Sequence, residues 1–204
     1  RIRKLARETP ATLVLFDIDG TLLTSAAAGR SAIRRAFEQE VDSLDCFEQV
    51  RFDGKTDPQI VRELFTAAGR PERTAAATAP LLERYLVHLE EELAARAGEV
   101  RPLPGIIPLL AALEARPDVC LGLLTGNIVR GARLKLEAAG IGFDRFSLGA
   151  YGSDHEDRSM LPPIAVERAA ATFGRVPVGS QVVIIGDTPA DVTCGAGLGV
   201  RAVA

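Results

Sequence analysis

The chain has 204 residues, 47% of them apolar and 25% charged, with a net charge of −3 at pH 7. This length and composition suffice for a buried core and are typical of a globular protein with one large or two small domains. The mixed, slightly acidic charge excludes the basic surface expected of a nucleic-acid binder, and no apolar stretch is long enough to indicate a membrane partner.

The first predicted element is a strand over Leu13–Phe16, because a continuous apolar run suits a strand buried on both faces of a parallel sheet. Residues 17–21, Asp-Ile-Asp-Gly-Thr, follow it. Side chains alternate along a strand, so Asp17 and Asp19 can face one point beyond its end, and Gly20 allows a sharp turn. Two carboxylates that close repel unless a cation lies between them or one is protonated. The pair therefore indicates a metal site or an acid–base site.

Residues 25–100 show no convincing strand pattern and predict a helical insertion. Helices are expected over Ala27–Glu40, Pro58–Ala68 and roughly Glu72–Ala97. The second has a capping side chain at Thr56, a proline in its first turn and Gly69 as its stop.

The remainder alternates strands with helices, the pattern of an α/β unit with a parallel sheet. Strands are expected at Val119–Leu124, Val182–Ile185 and Val200–Ala204, and helices at Gly105–Arg116, Ile128–Ala139 and Pro162–Phe173. Two of these strands end in polar clusters, Thr-Gly-Asn at 125–127 and Gly-Asp-Thr-Pro-Ala-Asp at 186–191. Ligands of open parallel sheets bind beyond the carboxyl ends of the strands, and helix N-termini there can bind an anion. We therefore expect these clusters to form one site with residues 17–21.

The three clusters, in this order, resemble motifs of the haloacid dehalogenase superfamily of phosphatases. Asp17-x-Asp19-Gly-Thr21 resembles the first motif, Leu124–Asn127 the second and Gly186-Asp187-x-x-x-Asp191 the fourth. The helical insertion is similar to the cap of that superfamily. The resemblance implies a Rossmann-like parallel-sheet core, residues 1–24 and 101–204, with a helical cap over residues 25–100 inserted after the first strand.

The resemblance also implies a chemistry. Asp17 would attack phosphorus and form an aspartyl-phosphate, and Asp19 would protonate the leaving alcohol and later activate water. Mg²⁺ would be held by the Asp17 carboxylate, the Asp19 backbone carbonyl and the Asp187 carboxylate, with Asp191 supporting these ligands. The phosphoryl oxygens would be bound by Thr125, Gly126 and Asn127.

One position departs from the superfamily's pattern. A lysine usually precedes the third core helix, but residues 157–163 read Asp-Arg-Ser-Met-Leu-Pro-Pro. Ser159 aligns with the lysine, and Arg158 stands one residue earlier. We expect Arg158 to replace it, since a guanidinium can bridge a carboxylate and a phosphoryl oxygen.

In the insertion, residues 53–58 read Asp-Gly-Lys-Thr-Asp-Pro. Thr56, Asp57 and Pro58 are explained as a loop and helix cap, whereas Lys55 is not. Cap loops of this kind commonly face the active site in the superfamily. Lys55 is therefore either a loop residue or a contact to the non-phosphate part of the substrate.

The leading hypothesis is a Mg²⁺-dependent phosphatase of a small phosphorylated metabolite, similar to phosphoglycolate phosphatases. A β-phosphoglucomutase-like phosphotransferase is the enzymatic alternative, since it keeps both acids and passes the phosphoryl group to a sugar. Dehalogenases and phosphonoacetaldehyde hydrolases lack the second acid, so Asp19 argues against them. A non-catalytic binding protein on the same fold stays open because the lysine is missing.

Three widely spaced cysteines, at positions 46, 120 and 194, favour reduced thiols in the cytoplasm over a disulfide framework. The chain starts without Met and ends in a strand-like pattern, so we expect it to be part of a somewhat longer protein. The oligomeric state is not indicated.

Overall fold

The computed structural model describes residues 11–70 and 75–204, so the predicted start of the third helix at Glu72 lies outside the described residues. The strands are β1 (Thr12–Phe16), β2 (Leu23–Thr24), β3 (Arg101–Pro102), β4 (Val119–Thr125), β5 (Leu148–Tyr151), β6 (Val182–Ile185) and β7 (Arg201–Val203). The helices are α1 (Ala28–Glu38), α2 (Asp57–Ala67), α3 (Ala75–Ala95), α4 (Ile106–Glu114), α5 (Val129–Ala138), α6 (Leu161–Phe173) and α7 (Pro189–Cys194). No helix in this part of the chain is long and apolar enough to cross a membrane.

A five-stranded parallel sheet in the order β5-β4-β1-β6-β7 forms the core. This confirms the predicted α/β class and the four predicted strands. Strand β5 was not predicted, because its sequence Leu-Gly-Ala-Tyr is short and contains a glycine. The prediction of the strands was therefore incomplete at one edge of the sheet.

The two faces of β1 belong to two separate apolar clusters. Val14 and Phe16 pack in a cluster that also includes residues of α1 to α5. Leu13 and Leu15 pack in the other cluster, which includes residues of α6. A strand buried on both faces is what the continuous apolar run predicted.

Helices α1 to α3 follow β1 in the chain, and the described residues between 25 and 100 form no strand. The rings of Phe37 and Phe65 meet edge to face at 5.5 Å between centroids, which joins α1 to α2. The antiparallel pair of β2 and β3 brings together the two chain segments that lead into and out of these helices. The segment that contains these helices therefore starts and ends at one place in the fold.

Candidate active site

The carboxyl ends of β1, β4 and β6 open into a cavity of about 290 Å³. In the register of the sheet, Phe16 pairs with Leu123 and Ile185, so the residues that follow them lie side by side. The cavity is lined by every site residue expected from the sequence except Asp191: Asp17, Asp19, Lys55, Thr125, Gly126, Asn127, Arg158 and Asp187. The parallel sheet thus brings the three polar clusters to one place.

Asp17 lies directly after β1 and is 6% exposed. Its amide donates to the carbonyl of Ile185 at 2.9 Å, which fixes its position between β1 and β6. Its Oδ1 lies 3.1 Å from Nη2 of Arg158. Burial raises the pKa of Asp17 to about 6, although the Arg158 guanidinium works against this rise; the charges of Asp191 and Asp19 add to it. Asp17 is therefore mainly ionised at neutral pH, and a further cation beside it would lower its pKa again.

Arg158 is the residue that the sequence analysis expects to replace the missing lysine. It is buried on a 3₁₀ turn over residues 158–160, and it forms ion pairs with both Asp17 and Asp191. Burial opposes its charge, but these two carboxylates raise its pKa above the ordinary value. Ser159 is exposed, and its hydroxyl donates to Asp157 at 2.7 Å. The guanidinium of Arg158, and not the side chain of Ser159, therefore reaches the cavity.

Carboxylate oxygens of Asp17, Asp187 and Asp191 all lie within 4.8 Å of one another. Both oxygens of Asp191 are already engaged, Oδ1 by Arg158 and Oδ2 by the amide of Thr188 at 3.0 Å and its hydroxyl at 2.6 Å. Asp187 is exposed, and burial of part of its carboxyl raises its pKa. Asp17 and Asp187 are thus the pair suited to a cation, and Asp191 holds Arg158.

Gly20 allows Asp187 to approach the end of β1. Its φ angle is +81°, which favours glycine, and a Cβ there would lie 2.2 Å from Oδ2 of Asp187. A side chain at position 20 would therefore push Asp187 out of the acidic cluster.

Asp19 lines the same cavity as Asp17 but contacts a different cation. Its Oδ1 accepts from the hydroxyl of Ser25 at 2.7 Å. Its Oδ2 accepts from Nδ2 of Asn127 at 2.9 Å and from Nζ of Lys135 at 2.6 Å. Burial opposes ionisation of Asp19, but the Lys135 ammonium and these hydrogen bonds outweigh it, so the pKa of Asp19 lies below its ordinary value. The repulsion between the two aspartates is thus reduced by two separate cations.

Lys135 was missed in the sequence analysis. It lies on α5 and is 5% exposed, and Nζ also donates to Oδ1 of Asn127 at 2.6 Å. A signal was present, because Ile128, Ala132, Leu136 and Ala139 form the buried stripe of this helix and position 135 falls within it. A lysine inside an apolar stripe indicates a buried acidic partner.

The loop before α2 is attached to the turn after β4. The amide of Asp57 donates to the carbonyl of Gly126 at 2.8 Å, and its Oδ2 accepts from the amide of Ile128 at 2.9 Å. The Thr56 hydroxyl accepts from the amide of Gln59 at 3.2 Å, as predicted for a helix cap. The interpretation of Asp57 as only part of a helix cap was incomplete, since its carboxylate also accepts from the chain that follows β4.

Burial raises the pKa of Asp57 to about 6, although Lys135 and the amide of Ile128 oppose the rise. Lys55, in the same loop, lines the cavity and forms an ion pair with Glu63 at 2.5 Å. The loop therefore contributes one cation to the cavity wall and one buried carboxyl to the contact with β4.

A family model described as haloacid dehalogenase-like hydrolase matches residues 11–199. A search of the curated proteins gives no match.

Solved structures share the fold at low sequence identity. A predicted phosphoglycolate phosphatase from Haemophilus somnus 129PT is 19% identical with a TM-score of 0.66, covering 97% of this chain and 85% of that one. A β-phosphoglucomutase from Clostridium difficile is 16% identical with a TM-score of 0.70, covering 95% and 83%. The HAD-hydrolase YfnB from Bacillus subtilis, bound to magnesium, is 22% identical with a TM-score of 0.56, covering 95% and 87%.

Proposed function

The chain belongs to the haloacid dehalogenase-like hydrolase family, and from this membership we propose that it is a phosphatase for a small phosphorylated metabolite. The observation that carries the proposal is the convergence of Asp17, Asp187 and the buried Arg158 in one cavity, with Asp19 beside them. Three acids and a fixed guanidinium in a small cavity suit the transfer of a phosphoryl group.

In the proposed first step, an oxygen of Asp17 attacks phosphorus while the bond between phosphorus and the ester oxygen breaks. Asp19 gives its proton to that ester oxygen, so the product leaves as an alcohol. In the second step water attacks phosphorus, its proton passes to Asp19, and the bond to Asp17 breaks to release phosphate. Arg158 opposes the negative charge on Asp17 and on the phosphoryl oxygens throughout.

The residues fit a hard divalent cation such as Mg²⁺, because carboxylate oxygens of Asp17 and Asp187 lie within 4.8 Å of each other. The backbone carbonyl of Asp19 is the third protein ligand that we propose. When bound, the cation would reduce the repulsion between these carboxylates and the substrate's phosphate.

The cavity supports a small substrate, because about 290 Å³ must hold both the phosphate and its leaving group. We propose that residues 1–24 and 101–204 are the catalytic core and that residues 25–100 act as a cap. Lys55 would contact the non-phosphate part of the substrate, and Thr125, Gly126 and Asn127 would bind phosphoryl oxygens. Phosphoglycolate and small sugar phosphates are therefore the first substrates to test.

The test is release of inorganic phosphate from phosphoglycolate, sugar phosphates and p-nitrophenyl phosphate, with Mg²⁺ and with a chelator. We expect release that depends on Mg²⁺ and that Asp17→Asn abolishes. Asp144→Asn, which changes a carboxylate that is 95% exposed, is the matched control and should keep wild-type activity. No release from any ester by the wild type would overturn the proposal, and equal release by Asp17→Asn would overturn the mechanism. Isomerised sugar phosphate instead of free phosphate would favour a phosphotransferase.

A further inference from the structure

Lys135 is a buried cation to which the proposed reaction gives no task. Its side chain is 6% exposed, and Nζ lies 2.6 Å from Oδ2 of Asp19. Burial opposes its charge, but the carboxylates of Asp19, Asp57 and Asp17 hold its pKa above the ordinary value. Burying an ammonium group costs several kcal/mol unless its partners compensate. A buried lysine in contact with the proposed acid–base residue therefore needs a functional explanation.

Lys135 acts on Asp19 by two routes. Directly, Nζ donates to Oδ2 of Asp19, the oxygen that also accepts from Asn127. Indirectly, Nζ donates to Oδ1 of Asn127 at 2.6 Å, so the amide nitrogen of Asn127 must point the other way, toward Asp19 and Thr125. Without Lys135 the Asn127 amide would lose this constraint. Among the described residues, the hydroxyl of Ser25 would then be the one donor to the Asp19 side chain that does not depend on Lys135.

The space for Lys135 is provided by Gly29 on α1. A Cβ at position 29 would lie 3.1 Å from Nζ and 3.4 Å from Cε of Lys135. Helix α1 thus lies directly against the end of the Lys135 side chain. The ammonium is confined between α1 and the two side chains that it orients, so it has little freedom to leave them.

We propose that Lys135 is a positioning residue that holds the Asp19 carboxylate in the orientation needed for proton transfer. This inference rests on the proposed phosphatase function. Asp19 must reach the leaving oxygen in the first step and a water molecule in the second, and both transfers require hydrogen-bond distance. Lys135 makes no contact with phosphorus in this scheme and acts only through Asp19 and Asn127.

The proposal predicts a dependence on the leaving group. p-Nitrophenolate leaves without a proton, so its release in the first step does not need Asp19. An alkyl alcohol does need that proton, and hydrolysis of the aspartyl-phosphate needs Asp19 as base for every substrate. Loss of the positioning contact should therefore slow the second step for all esters and the first step for alkyl esters only.

The experiment is stopped-flow measurement of p-nitrophenolate release by Lys135→Met, with steady-state turnover of the alkyl phosphate that the wild type cleaves fastest. We expect a burst of about one equivalent of p-nitrophenolate followed by turnover about 10²-fold below wild type. The KM for this ester should fall with kcat, because the slowed step follows cleavage. Asp19→Asn should show the same burst, and the double variant should lose little more than either single variant. Arg133→Met removes an exposed cation from the same helix and is the matched control.

Turnover within twofold of wild type and no burst would overturn the proposal. So would an equal loss of burst rate and turnover, which is the result expected of general damage to the fold. Lys135→Gln is measured in parallel, so the same outcomes can be read if the methionine variant does not fold. A wild-type protein without phosphatase activity on any ester would instead refute the proposed function itself.

Discussion

The contact between the turn after β4 and the loop before α2 can be tested at Gly126. A Cβ at this position would lie 2.1 Å from the carbonyl oxygen of Lys55 and 3.0 Å from Cα of Thr56. These are backbone atoms, so the loop must move as a unit by about 1 Å to restore van der Waals contact. The movement would stretch the 2.8 Å hydrogen bond from the amide of Asp57 to the carbonyl of Gly126.

The expected cost of Gly126→Ala follows from these contacts. Overpacking costs about 1–3 kcal/mol, and a lost hydrogen bond adds about 1 kcal/mol. We therefore expect the free energy of unfolding, measured by urea titration, to fall by about 2–4 kcal/mol. The kcat/KM for phosphate release should fall at least about tenfold, because the displaced loop borders the proposed phosphate site.

Gly98→Ala is the control for Gly126→Ala, because a Cβ at position 98 meets nothing within 4 Å. It should change the free energy of unfolding by less than about 1 kcal/mol in either direction. The reasoning would be refuted if the two alanine variants unfolded at the same urea concentration and had kcat/KM values within twofold of each other.

Three further substitutions test separate parts of the site. Arg158→Ala leaves two buried carboxylates without their cation. We therefore expect the free energy of unfolding, measured by urea titration, to fall by about 3–5 kcal/mol and phosphate release to be almost completely lost. Near-full activity would show that Arg158 does not replace the lysine. Asp57→Asn removes a carboxyl whose pKa burial raises to about 6. Because that value lies above the ordinary one, ionisation of Asp57 destabilises the folded protein as pH rises through about 6. Between pH 4 and pH 7.5 the free energy of unfolding of the wild type should therefore fall by up to about 3 kcal/mol relative to that of the variant. A difference between the two proteins that is independent of pH would contradict this. Lys55→Ala should change the order of substrate preference in the phosphate-release panel, and an unchanged order would show that this loop does not select substrates.

The core of the site was predictable from sequence because it depends on topology. Apolar runs that end in Asp17, Thr125 and Asp187 predict buried strands of a parallel sheet, and the carboxyl ends of such strands share one edge. Their meeting in one cavity needed no knowledge of individual side-chain contacts. The prediction for Arg158 had a different basis, since it came from the resemblance to a superfamily in which a lysine usually precedes the third core helix.

The contacts of Lys135 could not be predicted in this way. Its partner Asp19 lies 116 positions away in the chain, and nothing in the pattern of α5 names that partner. Strand β5 was missed for a different reason, because four residues with a glycine carry too little apolar periodicity to be separated from a loop. Both omissions concern features that are stabilised by tertiary contacts and not by their own sequence.

The pKa values of the two aspartates are shifted in directions that oppose their proposed roles. Burial raises the pKa of Asp17 to about 6, although a nucleophile must be ionised. Lys135 and the hydrogen bonds to Asp19 lower the pKa of that residue despite its burial, although a general acid must carry a proton.

Both pKa shifts would be reversed by the binding of a charged group, a cation at Asp17 and a phosphate at Asp19. A divalent cation beside Asp17 and Asp187 would lower the pKa of Asp17, and a phosphate dianion beside Asp19 would raise the pKa of Asp19. The protein alone therefore holds both aspartates mainly ionised at neutral pH, each oriented by its own buried cation, and Asp19 lacks the proton that it must donate. On this argument the phosphate of the substrate would supply the protonation that Asp19 needs, and a cation would complete the ionisation of Asp17.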